Sequence, residues 1–427
     1  MATVNTLRAE LTENKRNPSP FFARTYGGFT QEQESFYLRH IGEVNGKRFL
    51  DPMAGQGYNL SALAWRGSEV WLGDIDPAPL HLAMLRDPEL VMRSREVITR
   101  FRKWFSPFKR RRFDRISEYC DEWISAPIRD DLDRYVARLG LSRNSTPFMY
   151  TNDYWRAPIE IRFAASLPIL AARSLSCFRG SDNLTWLKKG GLVREVSIYD
   201  AMMSALDSWS RYAAATLCKN VDGTMGNICA RRMDVEQGRL ATKRRFDAVI
   251  TSPPYANRLD YTRMWAPELE VLSAMWRTDN TEIKALQIGS TVVEGKSPSL
   301  TDEAIVPPRI RKILREIRDD DSKASASYYY PFFRNYAISL CKSLHHIAPR
   351  LKSGGLLIMF VRDTVRKDVM FPTAEMIKFV IQKQIGFRLV DREQRILRHH
   401  VGFLRKSSAG GMYGLAQVEW WLAFRKL

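Results

Sequence analysis

Phe246-Asp247-Ala248-Val249-Ile250-Thr251-Ser252-Pro253-Pro254-Tyr255 constrains the chain more than any other stretch. Its first six residues read as a buried strand, apolar and β-branched. The two prolines after it can neither donate a ladder hydrogen bond nor continue a helix, so the strand stops at Ser252. Consecutive prolines fix the backbone, so the Ser252 hydroxyl and the Pro253 carbonyl face one small space as rigid acceptors, with the flat ring of Tyr255 beside them. Such a corner suits a planar ring that carries an NH2 group. An ordinary strand-end turn also explains Ser-Pro-Pro alone; the strand before it and the aromatic after it make the run more specific.

Some 200 residues upstream, Arg48-Phe49-Leu50-Asp51-Pro52-Met53-Ala54-Gly55-Gln56-Gly57-Tyr58 reads as a strand entering a glycine-rich turn, followed by a helical run from Asn59 to Trp65. Small residues there let the backbone approach a ligand closely, and the turn delivers a helix N-terminus. A second strand, Glu69 to Gly73, ends at Asp74-Ile75-Asp76-Pro77. An acid at that tip, roughly 20 residues past the glycines, is placed for ribose hydroxyls. Asp74 fits best, and Asp76 faces the adenine side or caps the helix that starts at Pro77.

Together these blocks resemble the motifs of the amino-methyltransferases, which move a methyl group from S-adenosylmethionine to an exocyclic amine of a DNA base. In that family Ser-Pro-Pro-Tyr is typical of enzymes that act on the N4 amine of cytosine. Enzymes acting on the N6 amine of adenine more often carry Asp or Asn where Ser252 stands. The glycine turn is similar to the family's Asp-Pro-Phe-x-Gly-x-Gly, with Met53 in place of Phe, a soft apolar exchange. The resemblance implies a Rossmann-like class I methyltransferase fold: α/β, a mixed seven-stranded sheet with a final antiparallel hairpin, and helical insertions. It covers somewhat more than half of the chain, in separate blocks.

The resemblance also implies roles. Ser252, Pro253, Pro254 and Tyr255 form the catalytic corner. Asp51, Pro52, Ala54, Gly55, Gly57, Asp74 and Asp76 hold S-adenosylmethionine, together with Ser252. Asp234, an acid after a third strand near Gly226 to Ala230, accepts from the adenine amine. Thr30, at the start of a helical pattern running to His40, and Tyr26 lie where the family folds a segment over the methionine end. Past the motif, Asn257, Arg258, Asp260 and Tyr261 form a loop over the base pocket, although a helix cap explains Asp260 equally well.

Composition points the same way. Sixty-six Lys and Arg against 47 Asp and Glu give a net charge of +19, a surplus that draws polyanions by counterion release and steering. Residues 91 to 115 carry ten basic and two acidic side chains interleaved with Phe101, Trp104, Phe105, Phe108 and Phe113. The run is densest at Lys109-Arg110-Arg111-Arg112, and it suits phosphate contact plus stacking on unpaired bases, or a solvated helix face. Lys188 and Lys189 sit in a second polar loop, Ser176 to Gly191, suited to base edges or phosphates.

The five cysteines, Cys120, Cys177, Cys218, Cys229 and Cys341, are scattered, without Cys-x-x-Cys or metal spacing, so no metal is expected. None follows a proline, which counts against the C5-cytosine enzymes. The paired His345-His346 read as a helix-end cap. No apolar run reaches the roughly 18 residues of a membrane span, so a cytoplasmic protein is expected.

The organisation expected is a cofactor-binding half with its lead-in (1–87), a helical basic and aromatic insertion for target recognition (88–195), a catalytic half (196–276), a polar insertion or flap (277–325) and the end of the sheet (326–427). Double-stranded DNA is the expected partner, with a restriction nuclease as a companion. Adenine-N6 transfer, RNA as substrate, and a nucleic-acid-binding homologue without catalysis stay open.

Overall fold

The computed structural model describes residues 29–106, 119–141, 157–179, 187–192, 196–219, 224–257, 259–292, 299–321, 324–366, 369–396 and 418–427. Seven strands form its main sheet: β1 (Arg48–Asp51), β2 (Glu69–Asp74), β3 (Asn227–Arg232), β4 (Phe246–Thr251), β5 (Leu351–Arg362), β6 (Arg388–Ile396) and β7 (Val418–Arg425). Their order across the sheet is β6-β7-β5-β4-β1-β2-β3. β1 to β5 run parallel, and β7 pairs antiparallel with both β5 and β6. This is the mixed seven-stranded α/β sheet with a closing hairpin that the motifs imply. From β1 the chain moves outward through β2 to β3, then returns to β4 on the other side. The β1/β4 seam is therefore the point where strand order reverses, and ligands bind in the crevice at the carboxyl ends of such a seam. Pairing of Phe49 with Ala248 and of Leu50 with Val249 brings Asp51 and Thr251 to that end together.

The central strands are apolar at successive positions because both faces are covered. Phe49, Val70, Leu72, Ala248 and Ile250 belong to one core; Leu50, Trp71, Val249 and Leu357 belong to the other. Helices α1 (Gln31–Ile41), α2 (Tyr58–Ala64), α3 (Pro77–Met84), α4 (Ser94–Phe105), α5 (Ala126–Arg138), α6 (Ile159–Leu175), α7 (Ile198–Lys219) and α8 (Ala266–Trp276) contribute to the first. The second holds α9 (Pro308–Arg318), α10 (Tyr330–Ile347) and α11 (Thr373–Phe379).

The described rings of residues 91–115 do not form the base-stacking strip that their interleaving with charge suggests. Phe101 and Phe105 are 2% and 1% exposed and pack edge-on against Phe163 of α6 and Tyr135 of α5. They are core residues, closed to a stacking base. The interleaving of rings and charges in this stretch is helix periodicity: the rings point inward, while Arg93 and Arg100 on the outer face both reach the buried Glu160. Trp104 keeps 37% exposure. Phe108, Phe113 and Lys109-Arg110-Arg111-Arg112 lie outside the described residues.

The two turn glycines are needed for different reasons. Both have positive φ, +53° at Gly55 and +61° at Gly57. A Cβ at Gly57 would stand 2.2 Å from Leu72 Cδ1, whereas one at Gly55 would meet nothing within 4 Å. Gly57 thus serves the packing of the turn on β2, and Gly55 opens a space. Gly57→Ala should cost about 1–3 kcal/mol through overpacking plus backbone strain, and Gly55→Ala should cost less. Thermal unfolding of the two variants should rank them in that order.

Candidate active site

The β1/β4 seam opens into a cavity of about 380 Å³. Its wall takes Asp51, Pro52, Met53, Ala54 and Gly55 from the glycine turn, Asp74 and Asp76 from the tip of β2, Asp234 after β3, Ser252 to Tyr255 after β4, and Thr30 and Gln33 from the start of α1. Two motifs 200 residues apart in sequence therefore share one space. The join is direct: Thr251 Oγ1 donates to Asp51 Oδ1 at 2.7 Å, and Met53 N donates to the same oxygen at 3.1 Å.

The acids come clustered. Asp74 accepts from Gly55 N at 2.8 Å and from Asp76 N at 3.0 Å, so it also fixes the shape of the turn. Asp76 caps α3 by accepting from Ala78 N at 2.9 Å, and its Oδ2 is buried without a hydrogen-bond partner among the described residues. Asp234 accepts from Gln237 N at 3.1 Å. Burial pushes the Asp51 carboxyl up to about 7, with Asp74 adding to it. Burial likewise raises Asp74, and it raises Asp76 well above the usual range, helped by Asp74. Three crowded, desolvated carboxyls favour a cationic ligand. A sulfonium with an ammonium group and a ribose fits this donor set, as do the apolar Met53, Ile75, Pro79 and Met233 of the same wall.

The Ser252 corner is anchored from behind. Ser252 Oγ donates to the Phe360 carbonyl of β5 at 3.0 Å and lies 3.3 Å from Tyr255 Oη. Its hydrogen is thus spent on β5, and its lone pairs are left for acceptance. Tyr336 of α10 donates to the Pro254 carbonyl at 3.0 Å and locks the double proline. The Arg362 guanidinium lies 4.9 Å from the centre of the Tyr255 ring. The guanidinium thus covers one face of that ring.

Arg362 in turn rests on Glu419 at 3.3 Å. Glu419 is 5% exposed and also accepts from Gln33 Nε2 at 2.9 Å and Trp421 Nε1 at 2.8 Å. Gln33, Arg362 and Glu419 all line the cavity, and motif reading did not find them. Glu419 left a signal: an acid inside the apolar run of β7 demands buried partners.

Other expected residues fall elsewhere. Gly57 does not line the cavity among the described residues. Thr30 does, and its side chain also accepts from Gln33 N in a capping box. Asp260 caps the turn Tyr261–Met264 and pairs with Lys284 at 2.8 Å, so its carboxylate is committed to structure. Asn257 Oδ1 accepts from Leu259 N at 3.2 Å and is exposed, whereas Tyr261 lines the cavity. Lys188 and Lys189 are exposed in a short strand paired with Phe178–Arg179. That strand is tied to the post-motif segment where Arg263 Nε donates to the Leu187 carbonyl at 2.8 Å. Arg258 and Tyr26 lie outside the described residues. The paired histidines bond sideways, His345 to Gln384 at 3.1 Å and His346 to the Val235 carbonyl at 3.0 Å.

The chain is similar to curated proteins. It is 30% identical over 178 residues to the type II methyltransferase M.AvaI of Nostoc sp., a match that covers 40% of this chain and 36% of that protein. A shorter match, 52% identical over 54 residues, links it to the type II methyltransferase M.BsoBI of Geobacillus stearothermophilus, covering 12% and 10% respectively. The chain thus spans about a third, or less, of the length of these relatives. Among solved structures, the rRNA methyltransferase aviRa of Streptomyces viridochromogenes aligns over 94% of this chain and 87% of its own at 13% identity, with a TM-score of 0.30. No family model matches the chain.

The acid cluster generates a pH dependence. An ammonium-bearing ligand needs Asp51 ionised, and Asp51 protonates below about 7. Calorimetric titration with S-adenosylmethionine should therefore show binding about tenfold weaker at pH 6 than at pH 8. Asp51→Asn should bind weakly at both values and lose that difference.

Proposed function

We propose that this chain is an S-adenosylmethionine-dependent methyltransferase that modifies the exocyclic N4 amine of cytosine in duplex DNA. Similarity to type II methyltransferases supports methyl transfer. The observation that carries the finer reading is the Ser252 corner, an oriented pair of acceptors in the same cavity as the acid cluster.

Asp51, Asp74 and Asp234, with Thr30, Ala54 and Gly55, are the residues to hold the cofactor. When bound, S-adenosylmethionine supplies a methyl group made electrophilic by its sulfonium. The remaining work belongs to the chain. An exocyclic amine is a poor nucleophile because its lone pair is delocalised into the ring. The Ser252 hydroxyl and the Pro253 carbonyl accept its two hydrogens, which lets the nitrogen pyramidalise and frees the lone pair. Preorganised acceptors and positioning are the main demands of such a direct, in-line transfer, without a covalent enzyme intermediate.

The base has to leave the duplex to reach this depth. Tyr255 offers its free ring face for stacking, while Arg362, held by Glu419, supports the other face. The basic segment within 88–195 and the Lys188-Lys189 loop hold the DNA backbone in this reading. Ser252 favours cytosine over adenine, because it stands where adenine enzymes of the resembled family carry Asp or Asn.

Labelled cofactor and duplex DNA, digested and resolved by nucleoside mass spectrometry, should yield N4-methyldeoxycytidine. N6-methyldeoxyadenosine would move the assignment to adenine, and no labelled nucleoside would end it. Ser252→Ala should lower kcat about tenfold, the worth of one well-placed hydrogen bond. Its affinity for the cofactor should stay within twofold of the parent's.

A further inference from the structure

Helix α9 buries Ile310, Leu314 and Ile317 in the second core. At 100° per residue, Arg311, Arg315 and Arg318 then fall on one flank of the helix, with successive members about 4.5–6 Å apart along the axis. Arg311 and Arg315 are exposed; neither side chain lies within 4 Å of a carboxylate among the described residues, and Asp319, which Arg318 engages directly, feels the charge of Arg315 from farther off. This sets them apart from neighbours that are neutralised: Arg309 on Glu375, and Arg318 on Asp319 at 2.7 Å. Glu316 lies on the other flank of the helix, away from the stripe.

Charged helix faces are commonly just solvated, so the position of this one decides its meaning. α9 packs on α10 and on the short strand Val369–Phe371. Phe371 meets Phe333 and Tyr336 of α10 at ring distances of 5.0 and 5.9 Å. Tyr336 is the residue that holds the Pro254 carbonyl. Ile310 of α9 and Ile288, a cavity-wall residue, belong to the same second core. The helix that carries the stripe is thus linked to the catalytic corner through Phe371 and Tyr336.

We infer that α9 is a phosphate-contact surface, on which Arg311 and Arg315 grip the backbone of duplex DNA flanking the target base. The inference rests on the DNA reading above. It gives the rim on the β5 side a cationic contact in a segment quite separate from the 88–195 insertion. Guanidinium groups suit phosphate oxygens through paired N–H donors, and contacts of this kind position the duplex without reading its sequence.

The test is the salt dependence of duplex binding by the full chain, for the parent and for Arg311→Ala/Arg315→Ala, on two duplexes of unrelated sequence. Neither side chain supports the core, so melting temperature and cofactor affinity should be unchanged. The double variant should bind both duplexes at least tenfold more weakly at about 0.1 M salt. Its slope of log K against log[salt] should be shallower by about 1.8, two contacts at about 0.9 each. An unchanged slope would overturn the surface and leave the active-site reading standing. A loss confined to one sequence would also overturn it, since it would mean base reading. A parent chain that binds no duplex would remove the DNA reading itself.

Discussion

The hydrogen bond from Thr251 to Asp51, 2.7 Å and fully buried, is the tie on which the site depends. It joins the last residue of β4 to the last residue of β1 across the seam where strand order reverses. A hydrogen bond to a carboxylate is worth about 1.5–3 kcal/mol, but its larger effect is geometric. With Asp51 fixed by Thr251 and by Met53 N, the glycine turn must leave the sheet beside the double proline. The two motifs then face each other without any further device. The cost is electrostatic: Asp51, Asp74 and Asp76 are crowded into a dry place, and all three resist ionisation. A cationic ligand would relieve that cost, so the same burial favours positive charge in the cavity.

Around that seam the two faces of the sheet divide the labour. Helices of the 88–195 insertion pack straight onto the first core, through Phe101, Phe105, Ile128 and Phe163. The second face, through α10, anchors Pro254 from behind and carries α9 at the rim. β5 and β7 add a polar chain of their own, Gln33 to Glu419 to Arg362, ending on the Tyr255 ring. This chain links the start of α1, beside the acid cluster, to the aromatic ring of the double-proline corner. Side chains locked in such a series hold a reactive geometry better than any one of them alone.

What could be read from sequence was what is encoded locally. A strand that meets two prolines, or a turn that needs glycine, announces itself within ten residues, and Asp74 and Asp76 follow from spacing. Gly57 was legible as a glycine but not for its purpose, since its constraint is Leu72 Cδ1, a contact made only on folding. Glu419 stood out as an acid in an apolar strand, but its pairing with Gln33 was invisible because the two lie 386 positions apart. Phe101 and Phe105 misled because an amphipathic helix with arginines on its outer face has the same composition as a base-stacking strip; only its period of 3.6 separates the two.

Whether one cavity holds both the methyl donor and the ring amine can be measured directly with a bisubstrate compound, deoxycytidine joined through N4 by a short linker to the 5′ position of adenosine. If the glycine turn and the double proline share their space, calorimetry should show the joined compound binding at least tenfold more tightly than its adenosine half. The gain should disappear in Tyr255→Ala. Equal affinity for the joined compound and the adenosine half would contradict the account, because the cytidine would then have nowhere to go.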